Sequence, residues 1–327
     1  MPQPGAMLRT LRPSPLPLIP AAALTHSTRS VRRGDVEPVA RGVYVDSAAW
    51  RRLSRWDRDL ARIHAHLLRH PDAVICRESA ALLWGLPIVG SLDAVHVLCP
   101  DTSTSRRVGR ARLHTSVHDD RVVEEVQGIR LTSIVDTCVD VARFRHPAAA
   151  LAVADAAVRQ DPRLSAAVLA AVNEERASGR GRRHARWALA RADGDAESAW
   201  ESVSRAVIEW SGFPAPELQR WIGPPGDADR TDFWWDRARI AGEADGHLTY
   251  DGRCGDPART SLAREERDRR LRRRGARTIA HWSWDDLAHP SALREILLGV
   301  GLVPDTVPDL GALASLSRLL RPGGQGP

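Results

Sequence analysis

The sequence contains no lysine. All 47 of its strongly basic side chains are arginine, and the guanidinium group stays protonated, so it cannot act as a general base. Cysteine is sparse as well. The thiols at 76, 99, 138 and 254 form no CxxC pair, which excludes a zinc knuckle and shows no regular disulfide framework. They read as small core residues in a reducing compartment, so the expected location is cytoplasmic. Long apolar runs are missing too. Residues 15–24 are mildly apolar and follow Arg9 and Arg12, but Pro15, Pro17 and Pro20 interrupt them. The stretch is too short to span a bilayer, and no membrane contact is expected. There is no HExxH, no GxSxG, no glycine-rich phosphate loop and no internal repeat. A zinc protease and a nucleotide-cradling loop are therefore excluded.

What is present fits a globular protein of about two domains: 327 residues with 43% apolar side chains. Arginine outnumbers acid enough to give a net charge of +6 and a pI near 10.0. A basic surface attracts polyanions, of which nucleic acid is the usual one. An arginine-rich genome raises pI generally, so the charge alone discriminates weakly.

The most informative stretch is 230–250, RTDFWWDRARIAGEADGHLTY. Two apolar-rich runs, 231–235 and 239–245, flank a polar turn at Asp236-Arg237, which is a hairpin signal. Alternation along a strand puts Glu243 and Asp245 on one face, and Asp232 can meet them from the neighbouring strand. Three carboxylates so close repel unless a cation lies between them, and hard oxygen donors suit Mg²⁺ or Mn²⁺. Such clusters hold the metal in phosphodiester hydrolysis. The alternative is a solvated acidic hairpin. Upstream, 196–213 reads as an amphipathic helix with Glu201 near its start. Downstream, 259–274 reads as a helix, 278–282 as a strand, and Ser283 as the cap of a further helix. Eight arginines lie within 264–277. Arg267, Arg269 and Arg270 are the candidates for phosphate contacts there, against the reading of a solvated helix balanced by Glu265, Glu266 and Asp268.

The order helix, strand, hairpin, helix, strand, helix resembles the restriction-endonuclease-like PD-(D/E)XK superfamily, and more narrowly the branch around the very-short-patch-repair endonucleases. The pieces are Glu197-Ser198 with Glu201-Ser202, TDF at 231–233, GEADG at 242–246, RDRRLRRRG at 267–275 and HWSW at 281–284. The resemblance implies metal ligation by Asp232, Glu243 and Asp245, with Glu201 approaching from the helix. The superfamily pattern ends in a lysine two residues after the second acid, where this chain has Asp245. A general base would have to be His247, a carboxylate or a metal-bound hydroxide.

The front of the chain carries a second resemblance. A Pro-rich leader, 1–20, is expected to be disordered. Residues 21–33 form a helix with Arg29, Arg32 and Arg33, Gly34 ends it, and 36–45 alternate as a hairpin around Arg41-Gly42. This is the rear half of a winged helix, in which the helix enters a groove and Arg41 reaches phosphate. The alternative is a helix and hairpin that only pack on the next domain. The pieces RRGDVEPVARGVYVD (32–46), ESAALLWGLP (78–87), VHV (95–97) and LTSIVDTCVDVAR (131–143) resemble the AbiEi antitoxin family of type IV toxin–antitoxin systems. That likeness implies promoter DNA as a ligand and a cognate toxin gene product as a partner, and leaves Glu78, Asp136 and Asp140 as structural groups.

The expected class is therefore α/β: a partial winged helix (21–46), a small α/β domain (47–160), a helical linker (161–195), a restriction-endonuclease-like domain (196–303) and a tail (304–327). The leading function is metal-dependent DNA cleavage in genome defence or repair. The rival is an antitoxin-like regulator with a catalytically silent back domain. One of the eleven tryptophans could stack on an extruded base, but the sequence selects none of them.

Overall fold

A computed structural model describes residues 10–99, 105–115, 120–245 and 257–321. The chain is mixed α/β and divides into two units, residues 1–145 with 167–190 and residues 146–166 with 191–327.

In the first unit, residues 10–20 follow an ordered path, where the sequence reading placed disorder. Proline forbids helix interiors but not extended backbone, and here the extended segment finds partners. Leu11 is buried and its N–H donates to Gln127 Oε1 (3.1 Å), while the Arg12 N–H donates to the Leu83 carbonyl (2.8 Å). Strand β1 (Ile19–Pro20) is followed by a 3-10 turn and helix α1 (Ser27–Arg33). Gly34 ends α1 at φ +77°, a left-handed conformation that costs glycine nothing. The ribbon β2 (Val36–Ala40) and β3 (Val43–Asp46) makes a three-stranded sheet in the order β1-β3-β2.

Asp46 caps the short helix α2 (Ser47–Arg52), and Ser54 caps α3 (Arg55–Arg69). Val39, Val43 and Val45 of the ribbon share a core with Trp50, Ala61 and Ala65 of these helices. The next elements are β4 (Val74–Ile75), α4 (Arg77–Leu83), β5 (Val95–Leu98), β6 (Arg106–Val108), β7 (Ala111–His114), β8 (Val123–Val126), β9 (Ile129–Thr132) and α5 (Ile134–Phe144). They build a mixed six-stranded sheet in the order β6-β7-β5-β4-β9-β8. Helix α6 (Pro147–Gln160) belongs to the second unit, and the chain then returns to the first with α7 (Ala166–Glu175) and α8 (Arg182–Leu189). The two units are thus not consecutive in sequence, although 161–195 read as a linker.

The second unit runs α9 (Ala199–Trp210), β10 (Glu217–Ile222), β11 (Asp229–Trp235), β12 (Ile240–Ala244), α10 (Pro257–Arg273), β13 (Thr278–Trp282), α11 (Trp284–Ala288), α12 (Pro290–Gly299) and α13 (Leu310–Leu320). The sheet order is β10-β11-β12-β13. The first three strands are antiparallel, and β13 runs parallel to β12 after the α10 crossover. Gly242 on β12 is set by close packing: a Cβ there would lie 2.7 Å from the Trp282 ring. Trp282 Nε1 in turn donates to Ser204 Oγ (2.8 Å), fastening β13 to α9. The tail also belongs to this unit. The N–H groups of Asp305 and Thr306 donate to the Gly212 carbonyl, and α13 buries Leu313, Leu316 and Leu320. Among the described residues, no helix is long and apolar enough to cross a membrane.

Candidate active site

Helix α9 and strands β11 and β12 bring Glu201, Asp232, Glu243 and Asp245 to one patch. Ser198 caps α9, and Glu201 occupies the position three residues on. Its carboxylate accepts from Ser198 Oγ (2.8 Å) and from the Glu197 N–H (2.9 Å). Half of its role is therefore that of a helix cap. Its Oε2 also faces the sheet, where Gln219 Nε2 donates to it at 2.8 Å and to Asp232 Oδ1 at 3.3 Å. The β11/β12 pairing aligns Phe233 with Gly242, so the preceding Asp232 comes alongside Glu243 and Ala244. The Ala244 N–H donates to Asp232 Oδ2 (3.0 Å).

These carboxylates are short of positive charge. Burial raises the pKa of Glu243 first, and the neighbouring Asp232 charge raises it further, to about 7, against the opposing pull of Arg267. Asp232 is raised as well, mainly by burial and least by Asp245, although the Ala244 N–H and Gln219 work against the rise. Glu201 is raised by burial and then by Asp232, with the Glu197 N–H working against it. Glu201 and Glu243, from different elements, thus both lie within the field of Asp232.

The cations that reach them come from α10. One Arg267 nitrogen, Nη2, lies 3.1 and 3.0 Å from the two Glu243 oxygens and also donates to the Arg230 carbonyl (2.6 Å). Arg264 pairs with Asp245 at 2.9 Å. Arg270 holds Asp229 (3.1 Å), and Arg269 is exposed, with Glu265 3.8 Å away. Of the three arginines expected to contact phosphate on this helix, Arg267 and Arg270 therefore brace the acidic sheet, and Arg269 faces solvent. Arg29, Arg32 and Arg33 on α1 and Arg41 in the ribbon turn belong to the first unit, where all four are exposed. His247 lies outside the described residues.

Sequence reasoning missed two further groups. Gln219 sits in the middle of β10 at φ +50°, a left-handed backbone conformation that is strained for a residue with a side chain. Nothing in the sequence marks it. His281 on β13 pairs in register with Glu243. Its Nδ1 is 3.0 Å from Asp245 Oδ2 and its Nε2 is 3.0 Å from Asp268 Oδ1. It was visible inside the HWSW piece, but only the parallel β12/β13 pairing places it at the patch.

The donor set consists of carboxylate oxygens, buried on Glu201 and Glu243 and half-buried on Asp232 and Asp245, and hard oxygen donors of this kind suit a hard divalent cation. As the side chains stand, no group of three or more His, Cys, Asp or Glu among the described residues is arranged to hold a metal ion. The oxygens are turned to Arg267, Arg264 and Gln219 instead. Metal binding at this patch would require Arg267 to release Glu243.

The chain is similar to two proteins of Mycobacterium tuberculosis, Uncharacterized protein MT2308 of strain CDC 1551 and Uncharacterized protein Rv2248 of strain H37Rv. Each is 38% identical over 172 residues, which is 52% of this chain and 62% of the relative. The matched stretch thus spans less than two thirds of those relatives. No family model matches the chain, and no solved structure matches it.

Proposed function

We propose that the second unit is a metal-dependent phosphodiesterase acting on DNA, and that the first unit supplies additional DNA affinity. The observation that carries this reading is the convergence of Glu201, Asp232 and Glu243 from three elements, all with pKa values raised by burial, and with Glu201 and Glu243 raised further by the Asp232 charge. Structural carboxylates are normally matched by partners, and perturbed titratable groups gathered in one place mark candidate functional sites. Asp232, Glu243 and Asp245 would hold Mg²⁺ or Mn²⁺, which supplies Lewis acidity toward phosphate and water. Gln219 spaces Glu201 from Asp232. His281, braced by Asp268, fixes Asp245. Arg267 and Arg264, now paired with Glu243 and Asp245, would be the side chains nearest to a phosphate held at these acids. Arg29, Arg32, Arg33 and Arg41 offer sequence-independent contacts to the DNA backbone. A cytoplasmic role in genome defence or repair follows from such an activity.

The test is cleavage of plasmid, linear and single-stranded DNA with Mg²⁺, Mn²⁺ or EDTA, in wild type and Asp232→Asn. Metal-dependent cleavage lost in the variant supports the reading. Cleavage that survives Asp232→Asn sinks it.

One observation favours a second reading. Arg267 meets both Glu243 oxygens and Arg264 meets Asp245, so the patch is partly neutralised without any cation. In that reading the second unit is a silent scaffold. The protein is then a DNA-binding regulator of the antitoxin type, with a cognate toxin gene product as its partner. Wild type that shifts the DNA upstream of its own gene, yet cleaves nothing under any metal, would move the weight there.

A further inference from the structure

Of the eleven tryptophans, one lies in solvent. Trp221 is 62% exposed, whereas Trp200, Trp210, Trp234, Trp235 and Trp282 of the same unit are buried. It sits on β10, the outer strand of its sheet. A cleft of about 350 Å³ has Trp221, Gln219, Arg159, Arg230, Asp195 and Glu197 among its lining residues, a size within the range of small-ligand pockets. Gln219 is the same residue whose amide donates to Glu201 and Asp232, so the cleft opens directly beside the acidic patch. Arg230 lies 5.9 Å from the Trp221 ring centroid. It is held there by Glu197, with two contacts of 2.8 Å. An exposed indole, an adjacent fixed guanidinium and a cleft of this size form a platform for a flat, electron-rich ring attached to a phosphate.

We propose that Trp221 is a stacking shelf for an unpaired nucleobase of the strand whose phosphate reaches the acidic patch. The inference rests on the phosphodiesterase reading and narrows its substrate class. A base inside a duplex offers only its edges, because its faces are covered by neighbouring base pairs. Its face becomes available when the strand is single or the nucleotide is extruded. Stacking on an aromatic side chain is tolerant of base identity, so the shelf selects unpaired DNA without reading a particular sequence. The strained backbone at Gln219, midway between shelf and acids, is the feature expected where geometry is held for function and not for stability.

The experiment uses the full chain in EDTA at low salt, with a single-stranded oligonucleotide carrying 2-aminopurine and its blunt duplex. Stacking on an aromatic residue predicts a loss of single-strand affinity of about 5- to 150-fold in Trp221→Ala. Trp221→Phe should recover most of that loss, and duplex affinity should change by less than about twofold, since backbone contacts carry it. Quenching of the 2-aminopurine emission should weaken in Trp221→Ala and return in Trp221→Phe. Because the ring is exposed, both variants should melt with wild type. Equal single-strand affinity and equal quenching in Trp221→Ala would overturn the shelf. So would equal losses on single strand and duplex, which would point instead to a protein-docking or folding role. Cleavage is read separately with Mg²⁺. Wild type that cleaves while Trp221→Ala binds normally leaves the hydrolytic reading standing without the shelf. Trp221-dependent binding in a protein that never cleaves keeps the shelf and removes the hydrolytic reading.

Discussion

Both units hold carboxylates out of solvent, and the Asp136/Asp140 pair of the first is partnered differently from the Glu201/Asp232/Glu243 group of the second. In the first unit, Asp136 accepts from Ser133 Oγ (2.6 Å), the Val122 N–H (2.9 Å) and Arg176 Nη2 (2.6 Å). Asp140 is bonded by Arg176 Nη1 (3.0 Å) and Arg121 Nε (2.8 Å). The two acids share the Arg176 guanidinium, each has further donors, and Arg176 ties α5 to the segment that follows α7. In the second unit, Glu201 accepts from Ser198 Oγ, the Glu197 N–H and Gln219, and Asp232 from the Ala244 N–H and the same Gln219 amide, all neutral donors, while both Glu243 oxygens lean on one arginine nitrogen. Breaking a matched buried pair strands a charge and is costly, whereas carboxylates gathered without matching cations destabilise the fold and mark a candidate functional site.

The largest contrast should appear when one carboxylate is neutralised in each place. Asp136→Asn breaks a buried ion pair and should cost about 3–5 kcal/mol of stability, while leaving cleavage per folded molecule near wild type. Asp232→Asn should lower metal-dependent cleavage by at least about 100-fold, taking the range for lost metal-site support as a floor, and should leave stability unchanged or slightly raised. Paired urea melts and cleavage rates check both. Destabilisation by Asp232→Asn as severe as that by Asp136→Asn would erase the distinction.

Gln219→Gly should separate function from stability within the second unit. Glycine relieves a left-handed conformation that costs roughly 1 kcal/mol, and its added freedom in the unfolded chain offsets a similar amount. The melting temperature should therefore move little, while kcat falls about 10-fold or more as Glu201 and Asp232 lose their common donor. Gln219→Asn, with too short a reach, should lose activity while easing part of the strain, since asparagine tolerates the left-handed region better than glutamine. A Gly variant with full kcat would make Gln219 a packing residue only.

Much of this site was legible in the sequence, and the illegible part has physical causes. Strand 278–282, an amphipathic helix within 196–213 and the Ser283 cap were read from the sequence, and all three are present. The convergence of Asp232 and Glu243 followed from the hairpin register. β6 and β8 were not read as strands, because both lie at sheet edges with mostly exposed or half-buried side chains and little apolar alternation. The order in 10–20 depends on Leu11 finding a distant pocket and Gln127, a tertiary partnership that proline counting does not reveal. Ala-rich α6 showed itself as a helix, but its packing partner, α9, lies across a stretch that returns to the other unit. Three long-range partnerships, Arg267 with Glu243, Arg264 with Asp245 and His281 with Asp268, depend on how α10 crosses the sheet, and no spacing rule gives that.

A smaller effect concerns pH. The folded-state pKa of Glu243 is raised from 4.5 to about 7 by burial and by Asp232. Its folded environment therefore favours the protonated form. The associated stability is fully present below the unfolded pKa and is lost as pH rises through about 7. In EDTA, the melting temperature should drop between about pH 4.5 and 7, and the drop should shrink in Glu243→Gln. Asp155, raised by burial to about 6, contributes to the same window, so only the difference between wild type and Glu243→Gln isolates the patch. An identical profile in the two proteins would mean that Glu243 is already compensated, like the acids of the first unit.

The smallest expected effects are at exposed arginines. Each of Arg29, Arg32, Arg33, Arg41 and Arg269 that touches a phosphate should contribute close to one unit to the salt slope of DNA binding. Arg267→Ala and Arg270→Ala should instead disturb the sheet, because their guanidiniums are committed to Glu243 and Asp229. Slopes measured across the five exposed variants would show which unit carries the backbone contacts.

The most direct test of the central claim is calorimetric titration of Mn²⁺ into the metal-free full chain, beside Asp232→Asn. If the unmatched carboxylates form a cation site, wild type binds Mn²⁺ saturably and Asp232→Asn loses that heat, while Asp136→Asn keeps it in the folded fraction. Identical isotherms for wild type and Asp232→Asn would contradict the account and leave the patch as a neutralised relic braced by Arg267.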